Sequence, residues 1–270
     1  MADKRVYIGV GHGGADPGAV ANGFKESDVN LDVAKACYDY LKKNGVAVKI
    51  SRTSDVNKDL NAYIAEANAF KADLALDIHH NAGGGDGAEV YHTIYAGTGL
   101  TLANNILAEM EKIGQNSRGA KIKKNEYGSD YFGFVRLTDM PAVLVECAFL
   151  DNKTDVKIID TKAERVKMGE AIGKGVLKTL GITPVKAKST YTGTLPKLTG
   201  KGYIAYGDYG INVERLQKFL NWYGKYDLDV DGKFGAKTLN ALKKYQSAEG
   251  LSVDGKFGVK SLAKAKAVKR

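Results

Sequence analysis

The sequence predicts an α/β protein with a twisted, largely parallel mixed sheet flanked by helices, followed by a small all-α three-helix domain. Three observations carry that prediction. Strand and helix patterns alternate through residues 1–182, the order that builds a sheet covered by helices. The segment "AVLVECAFL" (142–150) is almost continuously apolar, as a strand covered on both faces is. The segment "LDVDGKFG" (228–235) recurs 23 residues later as "LSVDGKFG" (251–258), each copy followed by a helical stretch.

The elements follow in order. "VYIGV" (6–10) is a short apolar strand running into Gly and His. "DVNLDVAKACYDYLKKNG" (28–45) repeats apolar residues at Val29, Val33, Cys37, Tyr40 and Leu41, a helical period, with Gly45 as its stop. "VAVKIS" (46–51) reads as a strand. "LNAYIAEANAF" (60–70) reads as a helix with Leu60, Ile64 and Ala67 on one face. "LALDI" (74–78) and "AEVYHTIYA" (88–96) are strands. Residues 100–113 are helical, with Leu100, Ala103, Leu107 and Met110 in register. "RVKMGEAIGKGVLKTLG" (165–181) closes the domain as a helix ending at Gly181. Residues 183–209 mix Pro, Gly, Thr and Lys without periodicity and read as a linker. The helix "NVERLQKFLNWYG" (212–224) then precedes the two repeats, whose Asp-Gly pairs suit turns between helices. The expected domains are 1–182, a linker at 183–207, and 208–270.

Charge is unevenly spread. The chain carries +9, but residues 1–182 contribute −1 and residues 183–270 contribute +10. A basic block implies an anionic partner: nucleic acid, an acidic membrane or an anionic cell-wall polymer. No apolar run is long enough to span a bilayer. The N-terminus enters a strand pattern without the apolar core of a secretory signal, so no signal peptide and residence in the cytoplasm are expected. Cys37 and Cys147, both in apolar settings, suit buried thiols in a reducing compartment.

Ligands of open α/β sheets bind at the C-terminal ends of the strands. His12 ends the first strand, His79 and His80 end "LALDIHH", and Glu146 lies in "AVLVE". Glu26 stands just before the helix that follows the first strand. Two histidines and one carboxylate form a common hydrolytic zinc set, and a further carboxylate can serve as general base. A carboxylate within the apolar run at 146 is costly unless it is paired or belongs to a site. His92, inside "EVYHTIY", reads as a plain structural residue.

Two patterns are decoys. "GVGHGG" (9–14) fits the dinucleotide fingerprint G-x-G-x-x-G, but "ADPGAVANG" follows where a helix should open, and Ser51 and Arg52 stand where an acid is preferred. "DLDVDG" (227–232) begins like an EF-hand loop, yet its twelfth position is Thr238, and the sister repeat supplies Gly250, Ser252 and Asp254.

Four segments together, "VGHGGADPGA", "FKESDVNLDVAKACYDYLKKNGVAVKISRTSD", "ANAFKADLALDIHHNAG" and "MPAVLVECAFLDNKTD", resemble the zinc-dependent N-acetylmuramoyl-L-alanine amidases over nearly all of residues 6–182. The resemblance implies one catalytic Zn2+ held by His12, Glu26 and the His of an S-I-H-x-N-A pattern, which aligns with His79, and a catalytic carboxylate at Glu146. Asp77 replaces the Ser of that pattern, and His80 takes its variable position. The implied reaction is hydrolysis of the amide joining N-acetylmuramic acid to L-alanine of the peptidoglycan stem. Residues 208–262 resemble a three-helix peptidoglycan-binding module, in which Phe234 and Phe257 are expected in the core. The architecture resembles a phage endolysin, held in the host cytoplasm before release and acting on the bacterial cell wall. The partners expected are peptidoglycan and anionic wall polymer, with no nucleic acid, no membrane insertion and a monomeric state. A zinc peptidase cutting another stem bond, a silent wall-binding protein and a nicotinamide enzyme are the rival readings. If "LALDI" is a strand, Asp77 and His79 share one face and His80 takes the other.

Overall fold

A computed structural model describes residues 4–184, 191–198 and 200–268 of the chain. The chain divides into two compact units at residue 185. In the first, strands β1 (Arg5–Val10), β4 (Ala47–Ile50), β5 (Leu74–Asn81), β6 (Ala88–His92), β7 (Ser117–Lys121) and β8 (Ala142–Phe149) form one sheet in the order β4-β1-β5-β8-β6-β7. A small hairpin joins β2 (Val20–Ala21) to β3 (Phe24–Lys25). All neighbours in the large sheet are parallel except β6 and β8, so the sheet is mixed and mostly parallel, as expected.

Each face of that sheet has its own cover. Val6, Ile8, Val10, Leu74, Leu76, Ile78, Val143 and Val145 pack against α1 (Glu26–Lys43), α3 (Thr98–Glu111) and α6 (Lys162–Thr179). Tyr7, Ala75 and Ala142 face α2 (Leu60–Phe70) and α4 (Gly133–Leu137), which contribute Tyr63, Ile64, Ala67 and Phe134. Alternation along a strand assigns successive residues to these two covers. Close helix packing has a visible cause: a Cβ at Gly175 of α6 would stand 2.6 Å from the Ile106 Cα of α3. Local chemistry sets several ends. The Asp59 carboxylate caps α2 by accepting from the Ala62 N–H at 3.0 Å, and Thr161 with Glu164 forms a capping box on α6.

Several expectations need adjustment. The first helix starts at Glu26, so Glu26 is its first residue rather than its forerunner. Strand β5 runs through both histidines to Asn81, because its pairing with β8 continues there. Strand β6 stops at His92, since Ala96 (φ 59°) and Gly97 turn the chain away. Leu60 is 37% exposed, and Tyr63 takes the buried place expected for it. On α3, Leu102 and Ile106 are buried and Leu100 is half-buried. Strand β7, α4 and α5 (Lys153–Ile159) lie in spans whose patterns were too short or too polar to announce them.

The second unit holds α7 (Ile211–Gly224), α8 (Ala236–Ala248) and α9 (Val259–Ala267). Its core gathers Leu216, Phe219, Leu220, Leu242, Tyr245 and Ala265, with Phe234 and Phe257 from the repeated turns. Both phenylalanines are therefore core residues. The linker expected over 183–207 is shorter than its composition suggests. Tyr191, Leu195 and Ile204 are buried in this second core, and Tyr191 meets Phe219 edge-on at 5.4 Å. Residues 185–190 and 199 of that span lie outside the described residues.

The two Asp-Gly turns are built alike. Buried Gln217 of α7 accepts from the Gly232 N–H at 2.9 Å and donates to Asp231 at 2.8 Å and to the Lys233 carbonyl at 3.1 Å. Buried Gln246 of α8 does the same to Gly255, Asp254 and Lys256 at 2.9, 2.7 and 3.0 Å. Each Asp also accepts from the N–H two residues on, and each Gly has positive φ. Asp231 is thus committed to a turn, in line with rejecting the EF-hand pattern.

Candidate metal and acid–base site

Strand register brings the chemistry together. Parallel pairing sets His79 of β5 beside Glu146 of β8, and antiparallel pairing sets Glu89 of β6 on the other side of Glu146. His12 follows β1 in a left-handed conformation (φ 60°), and Glu26 opens α1 next to it. One donor atom from each of His12, Glu26 and His79 lies within 4.8 Å of the others.

Glu26 is the hub of this cluster and is only 4% exposed. His12 Nε2 lies 3.2 Å from its Oε2, and His79 Nδ1 lies 2.9 Å from its Oε1. Three N–H groups also donate to it: those of the Ala19 backbone, the His80 backbone and the Asn30 side chain, at 3.0, 3.2 and 3.3 Å. Burial pushes the Glu26 carboxyl up, but the two imidazoles and the Ala19 N–H outweigh it and hold the group well below the usual carboxylate range. The hydrogen bond to Glu26 raises the His12 imidazole. Burial works to lower His79, yet Asp77 and Glu26 raise it far above its ordinary value. Two imidazoles competing for the proton-accepting oxygens of one carboxylate make a concentrated donor set.

The outer nitrogens are backed as well. His12 Nδ1 is 2.8 Å from Asp16 Oδ2, and His79 Nε2 is 3.5 Å from Asp77 Oδ2. The sequence reading set Asp77 on the strand face of His79 but gave neither carboxylate a role. Asp77 carries a signal in hindsight, an acid within the apolar run "LALDI", whereas Asp16 has none. Arg52 was missed in the same way. It is buried, and its guanidinium donates to the carbonyls of Val10, Gly11 and Ser27, tying the end of β1 to the start of α1.

Glu146 is half-buried, and its Oε2 is enclosed with no hydrogen-bond partner among the described residues. Burial pushes its carboxyl up to about 7. The neighbouring His79 opposes that shift, while Glu26, Glu89 and Asp77 add to it. Glu89 itself is buried and engaged by Arg118, Lys121 and the Tyr91 hydroxyl. A carboxyl poised near 7 can exchange a proton at neutral pH.

The His80 ring lies outside the ligand cluster, although its backbone N–H donates to Glu26. It points to the α1 side of the sheet, is 2% exposed, and its Nδ1 lies 2.7 Å from Asn30 Oδ1. The Asn30 amide donates to the Gly11 carbonyl at 3.1 Å, so its Oδ1 must accept from His80. Burial lowers the His80 imidazole to about 3. His92 is also outside the cluster, its Nδ1 2.7 Å from the Thr93 carbonyl. The glycines of "GVGHGG" serve close approach: a Cβ at Gly9 would collide with Asp77, and one at Gly11 with the His79 ring. The dinucleotide pattern is explained without a dinucleotide. Cys37 and Cys147 are buried free thiols, both pushed up by burial.

Residues 6–178 match the family described as "N-acetylmuramoyl-L-alanine amidase". The chain belongs to that family. Residues 209–264 of this amidase match a second family, described as "Putative peptidoglycan binding domain". The amidase is 32% identical to the endolysin of Bacillus phage SPP1 over 92% of its own length and 94% of that relative. It is 37% identical to the N-acetylmuramoyl-L-alanine amidase CwlM of Bacillus licheniformis, covering 63% of this chain and 66% of CwlM. Among solved structures, the catalytic domain of CwlV from Bacillus (Paenibacillus) polymyxa var. colistinus matches with a TM-score of 0.60 at 27% identity, over 67% of this amidase and 99% of that domain. Cwp6 from Clostridium difficile matches with a TM-score of 0.65 at 38% identity, over 66% of this amidase and 30% of that longer chain.

Proposed function

We propose that this peptidoglycan amidase holds one Zn2+ with His12, Glu26 and His79 and uses Glu146 as its general base. The observation that carries the reading is the convergence of two imidazoles and one carboxylate within 4.8 Å, beside a carboxyl held near neutrality. The donor set fits zinc: two neutral nitrogen ligands, one anionic oxygen, and a carboxylate behind each imidazole. When bound there, zinc supplies Lewis acidity for the scissile carbonyl and acidity for the attacking water. The bond cleaved is the amide between the lactyl group of N-acetylmuramic acid and L-alanine. Glu146 takes a proton from the water that attacks the carbonyl carbon and delivers it to the departing L-alanine nitrogen. A C–O bond forms and the C–N bond breaks, with no residue covalently acylated.

The second unit gives the enzyme a hold on the wall. Its net charge of +10 suits an anionic polymer, and tethering raises the local concentration of the catalytic unit at its substrate. The near end-to-end similarity to a phage endolysin supports a lytic role, with synthesis in a host cytoplasm and action at the wall once the membrane is opened.

The test is digestion of purified peptidoglycan with and without a chelator, followed by identification of the new chain ends. New L-alanine amino groups without new reducing sugars, lost on chelation and restored by Zn2+, are expected. New amino termini at other stem residues would assign the enzyme to the peptidase rival instead.

A further inference from the structure

We infer that Tyr63 and Asp77 form a positioning pair for His79, fixing which ring nitrogen faces the metal. The inference rests on the zinc reading above and concerns residues that neither the family match nor the ligand set assigns.

Asp77 is 2% exposed on a central strand. Its Oδ2 accepts a hydrogen bond from the Tyr63 hydroxyl at 2.9 Å and lies 3.5 Å from His79 Nε2. Its Oδ1 has no hydrogen-bond partner among the described residues. A carboxylate kept in such a place is expensive unless a positive or polarised neighbour compensates it. Besides the Tyr63 hydroxyl, the His79 imidazole supplies one, and its other nitrogen, Nδ1, lies 2.9 Å from Glu26 Oε1.

The surroundings are shaped for this pair. Strand β1 presents Gly9 opposite Asp77, and any side chain there would strike the Asp77 carboxylate. Gly11 leaves the same clearance for the His79 ring. Tyr63 is buried on α2 against Phe134, with ring centroids 5.7 Å apart, so its hydroxyl is aimed rather than free to wander. The result is a chain running from Tyr63 O–H to Asp77 Oδ2 to His79 Nε2. For Nδ1 to offer its lone pair to a metal, the ring proton must reside on Nε2. Asp77 Oδ2 is the acceptor for that proton, and Tyr63 holds Asp77 in the rotamer that supplies it. The serine of the related pattern could accept a hydrogen bond at this position but would bring no charge.

The experiment uses the full chain. Zn2+ affinity is measured by competition with a chromophoric chelator for wild type, Asp77→Asn, Asp77→Ser and Tyr63→Phe, and the His79 ring nitrogens of the Zn2+-loaded protein are observed by 15N NMR. The Asp77 variants are expected to weaken Zn2+ by about 10–100-fold, the usual effect of removing the partner of a metal-bound imidazole. Tyr63→Phe is expected to weaken it less, in the same direction. Wild-type His79 is expected to carry its proton on Nε2, and that signature should blur in Asp77→Ser. Wild-type affinity in both Asp77 variants, or a proton on Nδ1 of His79 in the loaded protein, overturns the inference. If the Asp77 variants do not fold, Tyr63→Phe decides, and unchanged affinity there overturns it. Failure of the wild type to bind Zn2+ removes the metal reading itself, and is distinguishable because it needs no variant.

Discussion

At the scale of residues, the site separates into groups with distinct tasks. Glu146 Oε2 has no hydrogen-bond partner among the described residues, so its removal should leave the ligand cluster intact. Glu146→Ala is expected to keep the fold and the Zn2+ content while activity drops about 10²–10⁴-fold, the range for a lost acid–base group, as read by release of L-alanine amino groups. Retained turnover would remove Glu146 from its role. In the role proposed for it Glu146 works in its ionised form, and burial pushes its carboxyl up to about 7. Activity should therefore fall as pH drops through about 7, and a pH–rate profile measures this directly. The adjacent histidines give an independent check. His79→Ala should abolish Zn2+ binding. His80→Ala should leave the metal in place but destabilise the protein by about 1–3 kcal/mol, because Asn30 loses its buried partner. The reverse pattern would mean that the register of the motif is off by one.

At the scale of elements, close approach and buried amides organise the molecule. Strand β1 gives up two side chains at Gly9 and Gly11 so that Asp77 and His79 can occupy the space beside it. In the second unit, Gln217 and Gln246 each brace a repeated turn from within a helix. Gln246→Ala is expected to cost about 1–3 kcal/mol, since it leaves the Gly255 N–H and the Lys256 carbonyl unpaired, and urea unfolding followed by the Trp222 signal would register it. A neutral result would reduce the Gln–turn contacts to incidental ones. The repeat "VDGKFG" is thus a structural device that sends a Phe into the core twice.

At the scale of the whole molecule, charge is divided between two units with separate cores. The catalytic part is near neutral and the basic part follows it. Retention of the full chain on purified walls should fall as salt is raised, because exposed charges are screened. Hydrolysis of a small soluble muramyl peptide should change much less. Equal salt sensitivity of the two measurements would argue that the basic unit contributes nothing by tethering. No helix among the described residues is long and apolar enough to cross a membrane.

Local patterns along the chain specify the kinds of groups available and most of the elements that bear them. Apolar periodicity, Gly stops and strand-end histidines are local signals, and helices over 28–45, 60–70 and 165–181 and the strand over 142–150 were legible from them. His12, His79, His80 and Glu146 stood out because His is scarce in this chain and an acid is out of place in an apolar strand, while the resemblance to the amidases singled out Glu26 and chose His79 over His80. That His12, Glu26, His79 and Glu146 meet follows from the assembled sheet and from nothing local. That depends on β5 pairing in parallel with β8 and on β6 pairing antiparallel with the other edge of β8, pairings that join residues far apart in sequence and leave no local periodicity. The same holds for Asp16 and Asp77 behind the imidazoles, for Arg52 beneath them, and for Tyr191 and Ile204 in a core that their own segment does not announce. Periodicity reports what a segment buries, whereas register and topology decide against what it is buried.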